Sequence, residues 1–428
     1  MNDLGIPKTN QKRIVIIGGG FGGLKLARTL SNKKFQIVLL DKNNYHTFQP
    51  LLYQVATGGL EADSIAYPLR KILNGKIIFR MLQVKSISPE ENLLQTSNGN
   101  ISYDYLVIAT GGTSNFYGIE SVEKNSFSLK SVTDALDIRS WLFQNLENQV
   151  LEKNNPAFTI AIVGGGPTGV EVAGALADLK NHVLQKDYKE LNFNLAKIYL
   201  IEAADKLLGA MSQKASDHAY NYLQKMGVEI ILKQSVKKID GEELLLSNGR
   251  IIKTNIFLWT AGIMGNPIPG LKQTSILKNK RIAVDEFNRV IGYENILAIG
   301  DVASAEKPHP MLAPVAIQQG ENLAHNLNKE NSSEWKKFVY KDKGVLATVG
   351  RNKAIAEIGK IKLYGFIAWI VWIFVHLMAL VGFRNRVVVF TNWVINYFTF
   401  DSAIRLIIRP VKKKSIAKET VETNNHTW

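Results

Sequence analysis

The chain has 428 residues, 46% of them hydrophobic, which predicts two or three folded domains and excludes a disordered or fibrous protein. Its 52 Lys and Arg against 37 Asp and Glu give a formal charge of +15, as expected of proteins that meet anionic lipid, nucleic acid or anionic substrates. The chain contains no cysteine, which excludes disulfides, thiol redox centres and Cys-ligated metals.

The first predicted element is a strand, a glycine-rich turn and a helix over residues 14–30. Its turn, Gly18 to Gly23, fits the pattern G-x-G-x-x-G, whose glycines permit a tight turn, close approach of a pyrophosphate and close packing of helix on strand. A second apolar strand, 36–40, ends in Asp41, whose carboxylate is placed to accept hydrogen bonds from a ribose. These features predict a dinucleotide site.

The same arrangement recurs in the middle of the chain, at residues 160–176 with the turn Gly164 to Gly169. A strand at 197–201 then ends in Glu202, although the separation exceeds the usual spacing of about 20 residues. Each copy also carries a later apolar strand that ends in a small-residue turn. Two dinucleotide folds are therefore predicted, and the repeated context disfavours the alternative of two ordinary turns with nothing bound.

A third element, the apolar strand 295–299 followed by Gly300 and Asp301, places a carboxylate at the end of a strand. Together the three motifs resemble the two-dinucleotide-binding-domain flavoproteins, which implies FAD at the first turn and Asp301 and a nicotinamide dinucleotide at the middle turn. The expected fold is α/β, with two Rossmann-type dinucleotide-binding domains (the FAD/NAD-linked reductase fold) and a C-terminal membrane-associating helical region. The expected domains are an FAD-binding domain in two parts, 1–120 and 281–340, an NADH-binding domain, 121–280, and a membrane-anchoring and dimerisation region, 341–428.

The resemblance also assigns residues to each cofactor, and Glu202 favours NADH because a carboxylate repels the 2′-phosphate of NADPH. For His46 alone, a packing role is the simpler interpretation. The residues expected to bind FAD are Gly18, Gly20, Phe21, Gly22, Gly23, Asp41, Lys42, His46, Gln49, Thr110, Gly111, Asp301 and Ala316. Those expected to bind NADH are Gly164, Gly166, Pro167, Thr168, Gly169, Glu202, Ala261 and Gly262. The seven histidines are scattered, so no metal site is predicted.

The disulfide reductases and sulfide:quinone oxidoreductases of this superfamily use redox cysteines, which the chain lacks. Three stretches narrow the choice among the remaining families. Residues 41–59 are similar over their whole length to the type II NADH:quinone oxidoreductases, and Glu171 matches that family's glutamate after the middle glycine turn. Glu171 is expected to position NADH or relay protons. The alternative for Glu171 is a carboxylate that only complements the helix dipole.

The third stretch, 313–320, resembles the family's quinone motif A-Q-x-A-x-Q. Gln318 matches the second glutamine, whereas Pro314 stands where the family has the first. Gln318 and its neighbour Gln319 are therefore expected to contact the quinone, unless they only bond backbone at the start of a helix.

The C-terminal region combines apolar and basic residues. Residues 363–383 are nearly all apolar and reach the roughly 20 residues that span a bilayer, whereas 387–408 has an amphipathic pattern. The family resemblance implies that these segments form helices that lie on the membrane surface. One alternative is that residues 363–383 span the membrane, and another is that the apolar helices form a dimer interface. The basic residues suit anionic lipid. Since residues 1–11 are polar, we expect a peripheral protein on the cytoplasmic side of the inner membrane, with a polar tail from Lys412.

The resemblance implies an FAD-dependent homodimeric enzyme that transfers hydride from NADH to flavin N5 and then two electrons to a membrane quinone. Proton pumping is not expected, because the sequence carries no chain of membrane carboxylates. One alternative is an NADH-dependent reductase of a ferredoxin-like protein. A second, a basic nucleotide sensor that binds nucleic acid, is disfavoured because the charge accompanies tryptophans and aliphatic residues rather than a nucleic-acid motif.

Overall fold

A parallel five-stranded sheet lies at the centre of the N-terminal part of the computed structural model, which describes residues 4–75, 77–151, 159–399, 404–407 and 410–411. The central residues of its strands are apolar and buried, as in parallel sheets that helices cover on both faces. One edge strand comes from far along the chain and pairs in parallel with Tyr105–Ile108. The strands lie in the order Ile296–Ala298, Tyr105–Ile108, Lys12–Ile17, Phe35–Asp41 and Ile78–Met81.

A second parallel five-stranded sheet repeats this order in the middle of the chain. Its central strand pairs on one side with the strand before Glu202, just as Lys12–Ile17 pairs with the strand that ends in Asp41. The predicted duplication is therefore present in the sheet order. The strands lie in the order Phe127–Ser128, Ile256–Trp259, Thr159–Val163, Lys197–Ile201 and Val228–Ile231.

Smaller antiparallel sheets complete both copies and connect them. A three-stranded sheet follows the fifth strand of the first copy, and its counterpart occupies the same place in the second. Gly112–Ser114 pairs with Ile263–Gly265 and thereby joins the two copies. The three-stranded sheets are Val84–Ser88, Leu93–Thr96 and Gly99–Ser102, and Val236–Asp240, Glu243–Leu246 and Ile251–Lys253. Tyr45–Thr47 pairs with Ala66–Pro68 in antiparallel fashion, whereas Ile282–Ala283 pairs with Ala303–Ser304 in parallel.

Helices cover the sheets, and the two that follow the glycine turns begin directly at those turns. The helix after the second turn continues through a π-turn, Lys180–Leu184, into Gln185–Asp187. The helices are Phe21–Thr29, Leu52–Ala56, Ala62–Ile65, Leu69–Leu73, Glu120–Asn125, Val132–Leu151, Pro167–Leu179, Gln213–Lys225, Ala313–Leu327, Phe366–Ala379 and Phe383–Thr399, with 3₁₀ turns at Gln49–Leu51, Pro89–Glu91, Gln273–Ser275, Gly300–Val302 and Ser332–Glu334.

The C-terminal region differs in part from the helical region predicted. It begins with an antiparallel sheet of the strands Val345–Thr348, Ala354–Ile358 and Ile361–Gly365, so residues 363–365 of the apolar run belong to a strand. The helix that follows has 14 residues. Among the helices of the described residues, none combines the length and apolar character needed to cross a membrane. The tail from Lys412 lies outside the described residues.

The largest apolar core runs from the second sheet into this C-terminal region. Ala347 and Ile355 of the C-terminal sheet, and Trp372 and Val389 of the two C-terminal helices, are buried in that core. Gly174 makes the approach close, since a Cβ there would lie 2.5 Å from the backbone nitrogen of Gly350. The C-terminal region is consequently packed against the helix that carries Glu171.

Candidate active site

The first glycine turn has a geometry that excludes side chains. Gly18 has a φ of +107°, and a Cβ there would lie 2.3 Å from the carbonyl oxygen of Ala109. A Cβ on Gly23 would lie 1.9 Å from the carbonyl oxygen of Gly18. These contacts hold the helix Phe21–Thr29 directly over the end of the central strand, so that its N-terminal N–H groups face the space where an anion binds.

Asp41 is held at the turn by backbone hydrogen bonds. Its Oδ2 accepts from the Gly19 nitrogen at 2.6 Å, and its Oδ1 accepts from the Asn43 nitrogen at 2.8 Å. Burial raises the pKa of Asp41 against the lowering effect of these bonds. His46 Nδ1 donates to the carbonyl oxygen of Gly19 at 2.9 Å, and burial lowers the pKa of His46, which favours the neutral ring. His46 therefore supports the turn from behind.

The second glycine turn repeats this geometry closely. Gly164 has a φ of +113°, and a Cβ on Gly169 would lie 1.8 Å from the carbonyl oxygen of Gly164. Glu202 takes the place of Asp41, since its Oε2 accepts from the Gly165 nitrogen and its Oε1 accepts from the Ala204 nitrogen at 2.8 Å. The duplication predicted from sequence thus extends to individual hydrogen bonds.

A cleft of about 610 Å³ opens at the first turn and at the carboxyl ends of the first sheet. Positions where a dinucleotide must approach the backbone are open, because a Cβ on Gly20 or Gly111 would meet no atom within 4 Å. The residues present therefore fit FAD. Most of the predicted FAD residues line the cleft: Gly18, Gly20, Phe21, Gly22, Asp41, Lys42, Gln49, Thr110, Gly111, Asp301 and Ala316.

Lys130 lines the same cleft and was missed by the sequence analysis. Burial raises the pKa of Asp301, and the positive charge of Lys130 opposes that rise. Lys130 precedes the helix Val132–Leu151, and Asp134 of that helix accepts from the backbone nitrogens of Lys130 and Ser131. The signal that could have located this helix start is the Ser131-x-x-Asp134 capping pattern.

Glu171 lies where the two dinucleotide sites meet. It is buried on the helix Pro167–Leu179, yet it and Thr168 line the cleft at the first turn. Its Oε1 accepts from the Thr348 nitrogen at 3.4 Å. Burial raises the pKa of Glu171 to about 8, so the carboxyl is protonated at neutral pH.

The two glutamines of the quinone motif lie beside the cleft with their amides bonded to backbone. Gln319 is buried, and its Oε1 accepts from the Gly300 nitrogen at 2.7 Å. Gln318 exchanges hydrogen bonds with the backbone of Lys341 and lines a separate pocket together with Pro314. Contact of either glutamine with a quinone stays a prediction.

Comparison with protein families covers both parts of the chain. Residues 12–320 match the family of pyridine nucleotide-disulphide oxidoreductases, and residues 343–400 match the NDH2 C-terminal domain. The type II NADH:quinone oxidoreductase Ndh of Mycobacterium tuberculosis is 32% identical over 90% of this chain and 88% of its own. The chain belongs to the type II NADH:quinone oxidoreductases. Their Staphylococcus aureus member is 29% identical over 82% of this chain and 90% of its own.

Membership of the type II NADH:quinone oxidoreductases confirms the family, the fold class, the enzyme class and the cofactors FAD and NADH predicted from sequence. The fold agrees with that of NDH2 from Plasmodium falciparum in complex with NADH, with a TM-score of 0.87 over 94% of this chain and 100% of that one, at 23% identity. A sulfide:quinone oxidoreductase from Aquifex aeolicus shares the fold at a TM-score of 0.72 and 22% identity, whereas the present chain has no cysteine.

We expect Glu202→Ala to raise the KM for NADH about tenfold while kcat changes little. A hydrogen bond to a charged group contributes about 1.5–3 kcal/mol, and about 1.4 kcal/mol corresponds to a factor of ten. The measurement is steady-state oxidation of NADH and NADPH. The matched control is Glu243→Ala, which removes a carboxylate that pairs with Lys253 on the surface of the same domain. An unchanged KM in Glu202→Ala would place the ribose elsewhere.

Proposed function

We propose that the chain is a non-pumping NADH dehydrogenase that transfers electrons from NADH through FAD to a quinone. The observation that carries this proposal is the meeting of the two sites, because Thr168 and Glu171 of the second glycine turn and helix line the cleft of the first. A nicotinamide bound at the second turn would therefore reach the cleft that fits FAD. The alternative of a ferredoxin-like acceptor is not favoured.

The residues of the chain position and shield the reactants, while FAD, when bound, supplies the hydride and electron chemistry. Asp41 and the first turn would hold the adenosine half of FAD, and Asp301 would bind a ribityl hydroxyl. Glu202 and the second turn would hold NADH. Glu171, neutral at pH 7, lies at the junction and can hold a proton there.

Gln318 remains the proposed quinone contact of the family motif. To reach a quinone carbonyl, its amide must give up its two bonds to the backbone of Lys341. Pro314 provides no amide side chain at the first position of the motif. We therefore expect this chain to bind quinone with fewer amide contacts than the motif provides.

The decisive experiment measures bound flavin and acceptor use in the purified protein. We expect bound FAD by absorbance, flavin reduction by NADH in preference to NADPH, and fast turnover only when a short-chain quinone is added. A ferredoxin-like protein in place of quinone should not support turnover. Flavin reduction without quinone turnover would overturn the acceptor, and absence of flavin would overturn the enzyme.

We also propose that the two C-terminal helices lie on an anionic lipid surface. Exposed apolar side chains recur every three or four residues along each helix, which places them on one face. Between Arg351 and Lys414 the sequence has eleven Lys or Arg and two acidic residues, so the face is accompanied by positive charge. The exposed residues with this spacing are Ile367, Ile370, Phe374 and Met378 on the first helix and Phe383, Val387, Phe390, Val394 and Phe398 on the second, and Phe366, Val375 and Ile395 beside them are exposed as well.

Replacing Phe374 and Phe390 together by Asp should weaken binding to vesicles of anionic lipid at least tenfold. Burying one Phe side chain contributes about 1.5–3 kcal/mol, and both are exposed on the proposed face. Vesicle sedimentation measures the partition. Leu195→Asp is the control, because Leu195 is exposed in a loop of the second domain. Equal binding by both variants would move the lipid contact away from these helices.

The homodimer and the placement on the cytoplasmic side of the inner membrane are proposals that follow from the family resemblance. Light scattering of the detergent-solubilised protein tests the first. A mass of a single chain after correction for bound detergent would contradict the dimer.

A further inference from the structure

Tyr117 lies on the loop that follows the strand Gly112–Ser114 and leads to the second dinucleotide domain. Its side chain is 62% exposed. The Ile119 nitrogen donates to the carbonyl oxygen of Phe116 at 3.0 Å, and Tyr117 and Gly118 between them have φ of +52° and +75°. Positive φ at both central positions is the pattern of a type I′ turn, which favours Gly, Asn or Asp. A bulky side chain at Tyr117 therefore strains the backbone.

Hydrogen bonds fix this loop to the second dinucleotide site. The Asn115 nitrogen donates to the carbonyl oxygen of Gly262 at 3.3 Å, and Trp259 Nε1 donates to the carbonyl oxygen of Asn115 at 2.9 Å. Asn115 Oδ1 in turn accepts from the Tyr117 nitrogen at 2.9 Å. A Cβ on Gly262 would lie 2.8 Å from Cζ of Tyr117. The ring of Tyr117 thus lies against Gly262, which is expected to bind NADH.

The order of the second sheet indicates which half of NADH would reach Gly262. The strand before the second glycine turn pairs on one side with the strand before Glu202 and on the other with Ile256–Trp259. In such a sheet the pyrophosphate lies at the glycine turn and the adenosine ribose lies at the acidic residue. The nicotinamide half then extends the opposite way. Thr260 Oγ1 donates to the carbonyl oxygen of Gly164 at 3.1 Å, so residues 260–262 lie on that path.

The position of Tyr117 suits a contact with this half of the ligand. Burial in the folded protein does not offset the strain at an exposed side chain, and strained residues of this kind cluster at ligand-binding sites. Thr113 and Ile263, from the two strands beside the loop, line the FAD cleft. Resting on the proposed function, which places NADH at the second glycine turn, we infer that the ring of Tyr117 packs against the nicotinamide half of NADH and holds it at the edge of this cleft.

The test compares NAD⁺ with ADP, which lacks the nicotinamide half, on the full-length, FAD-loaded protein. Isothermal titration calorimetry measures both dissociation constants. Tyr117→Asn should weaken NAD⁺ binding about tenfold, as expected when an aromatic side chain that stacks on a ligand ring is removed. ADP binding should not change, because ADP ends at the pyrophosphate. Tyr117→Phe keeps the ring and should bind NAD⁺ within about twofold of the unaltered protein.

Thermal unfolding separates a ligand contact from a packing role. Because Asn tolerates a positive φ better than Tyr does, Tyr117→Asn should unfold at the same temperature as the unaltered protein or at a higher one. Lys280→Asn is the matched control, since Lys280 is also exposed, has a φ of +61° and lies in a turn that closes on Leu277. This control should keep its affinity for both ligands.

Unchanged NAD⁺ binding in Tyr117→Asn, or equal losses in Tyr117→Asn and Tyr117→Phe, would overturn the ring contact. Equal weakening of NAD⁺ and ADP together with a lower unfolding temperature would show a packing role and also overturn it. Glu202→Ala, on the adenosine side, should weaken both ligands. If Glu202→Ala weakens neither, the second turn does not hold NADH, which refutes the placement made in the proposed function and removes the basis of the contact; a failure of Tyr117 alone leaves that placement intact.

Discussion

Gly23→Ala should yield protein without FAD and without measurable NADH oxidation. The added Cβ would lie 1.9 Å from the carbonyl oxygen of Gly18, well inside the distance at which real Cβ atoms are found. Relief requires the helix Phe21–Thr29 to move away from the strand, which removes its N-terminal N–H groups from the pyrophosphate. Flavin absorbance per chain and thermal unfolding together measure the result.

Two further glycine substitutions separate the causes. Gly209→Ala is the control, because its Cβ would meet no atom within 4 Å and the residue is exposed. Gly20→Ala also meets no protein atom, but it adds a methyl group at the cleft. We expect Gly20→Ala to fold normally and to bind FAD more weakly. Full flavin content in both Gly20→Ala and Gly23→Ala would show that FAD does not approach this turn.

The sequence predicted the two dinucleotide sites because their chemistry depends on short, local patterns. A glycine with positive φ, such as Gly18, and a carboxylate at the end of the next strand, such as Asp41, leave a signature within about 20 residues. The structure reproduces these patterns as hydrogen bonds, even at Glu202, where an insertion lengthens the spacing. The absence of cysteine was equally informative, since a chain without thiols cannot perform the chemistry of the disulfide reductases that share this fold.

The C-terminal region was less predictable because hydropathy does not separate a buried strand from a helix. Leu363 and Tyr364 are apolar, yet they pair with the strand Ala354–Ile358, and Tyr364 stacks on His218 at 4.2 Å. Gly365, with a φ of +72°, then ends the strand and begins the helix. The apolar run of 21 residues therefore contains a helix of only 14 residues, Phe366–Ala379.

The hydrogen bond between Tyr53 and Thr348 had no signal in the sequence. Tyr53 and Thr348 are separated by 295 positions, and their contact depends on how the C-terminal sheet packs on the second domain. The glutamines of the quinone motif show the opposite case, in which the sequence gives a clear match. The match identifies the residue type, but it does not determine which group the amide contacts. Gln319 bonds the backbone of Gly300, which is the simpler of the two roles that its position allows. Tertiary packing decides both cases.

Glu171→Gln should slow quinone reduction about 100-fold, within the range of about 10²–10⁴ expected for a positioned proton donor. Flavin reduction by NADH should change much less. The amide keeps the shape and the hydrogen bond to Thr348 but holds no transferable proton at any pH. The control is Glu120→Gln, an exposed carboxylate paired with Lys124.

The pH dependence gives the sharper test of Glu171, because burial raises its pKa to about 8. The carboxyl donates a proton only below that pH, so quinone-dependent turnover should be constant near pH 7 and fall as the pH rises through 8. The same shift affects stability: with the folded pKa above the unfolded value of 4.5, the contribution is full below pH 4.5 and is lost as the pH rises through 8. Glu171→Gln should flatten both profiles. If the variant keeps the alkaline fall in turnover but loses the alkaline fall in stability, the group that limits quinone reduction is not Glu171, and the proton must enter the cleft by another path.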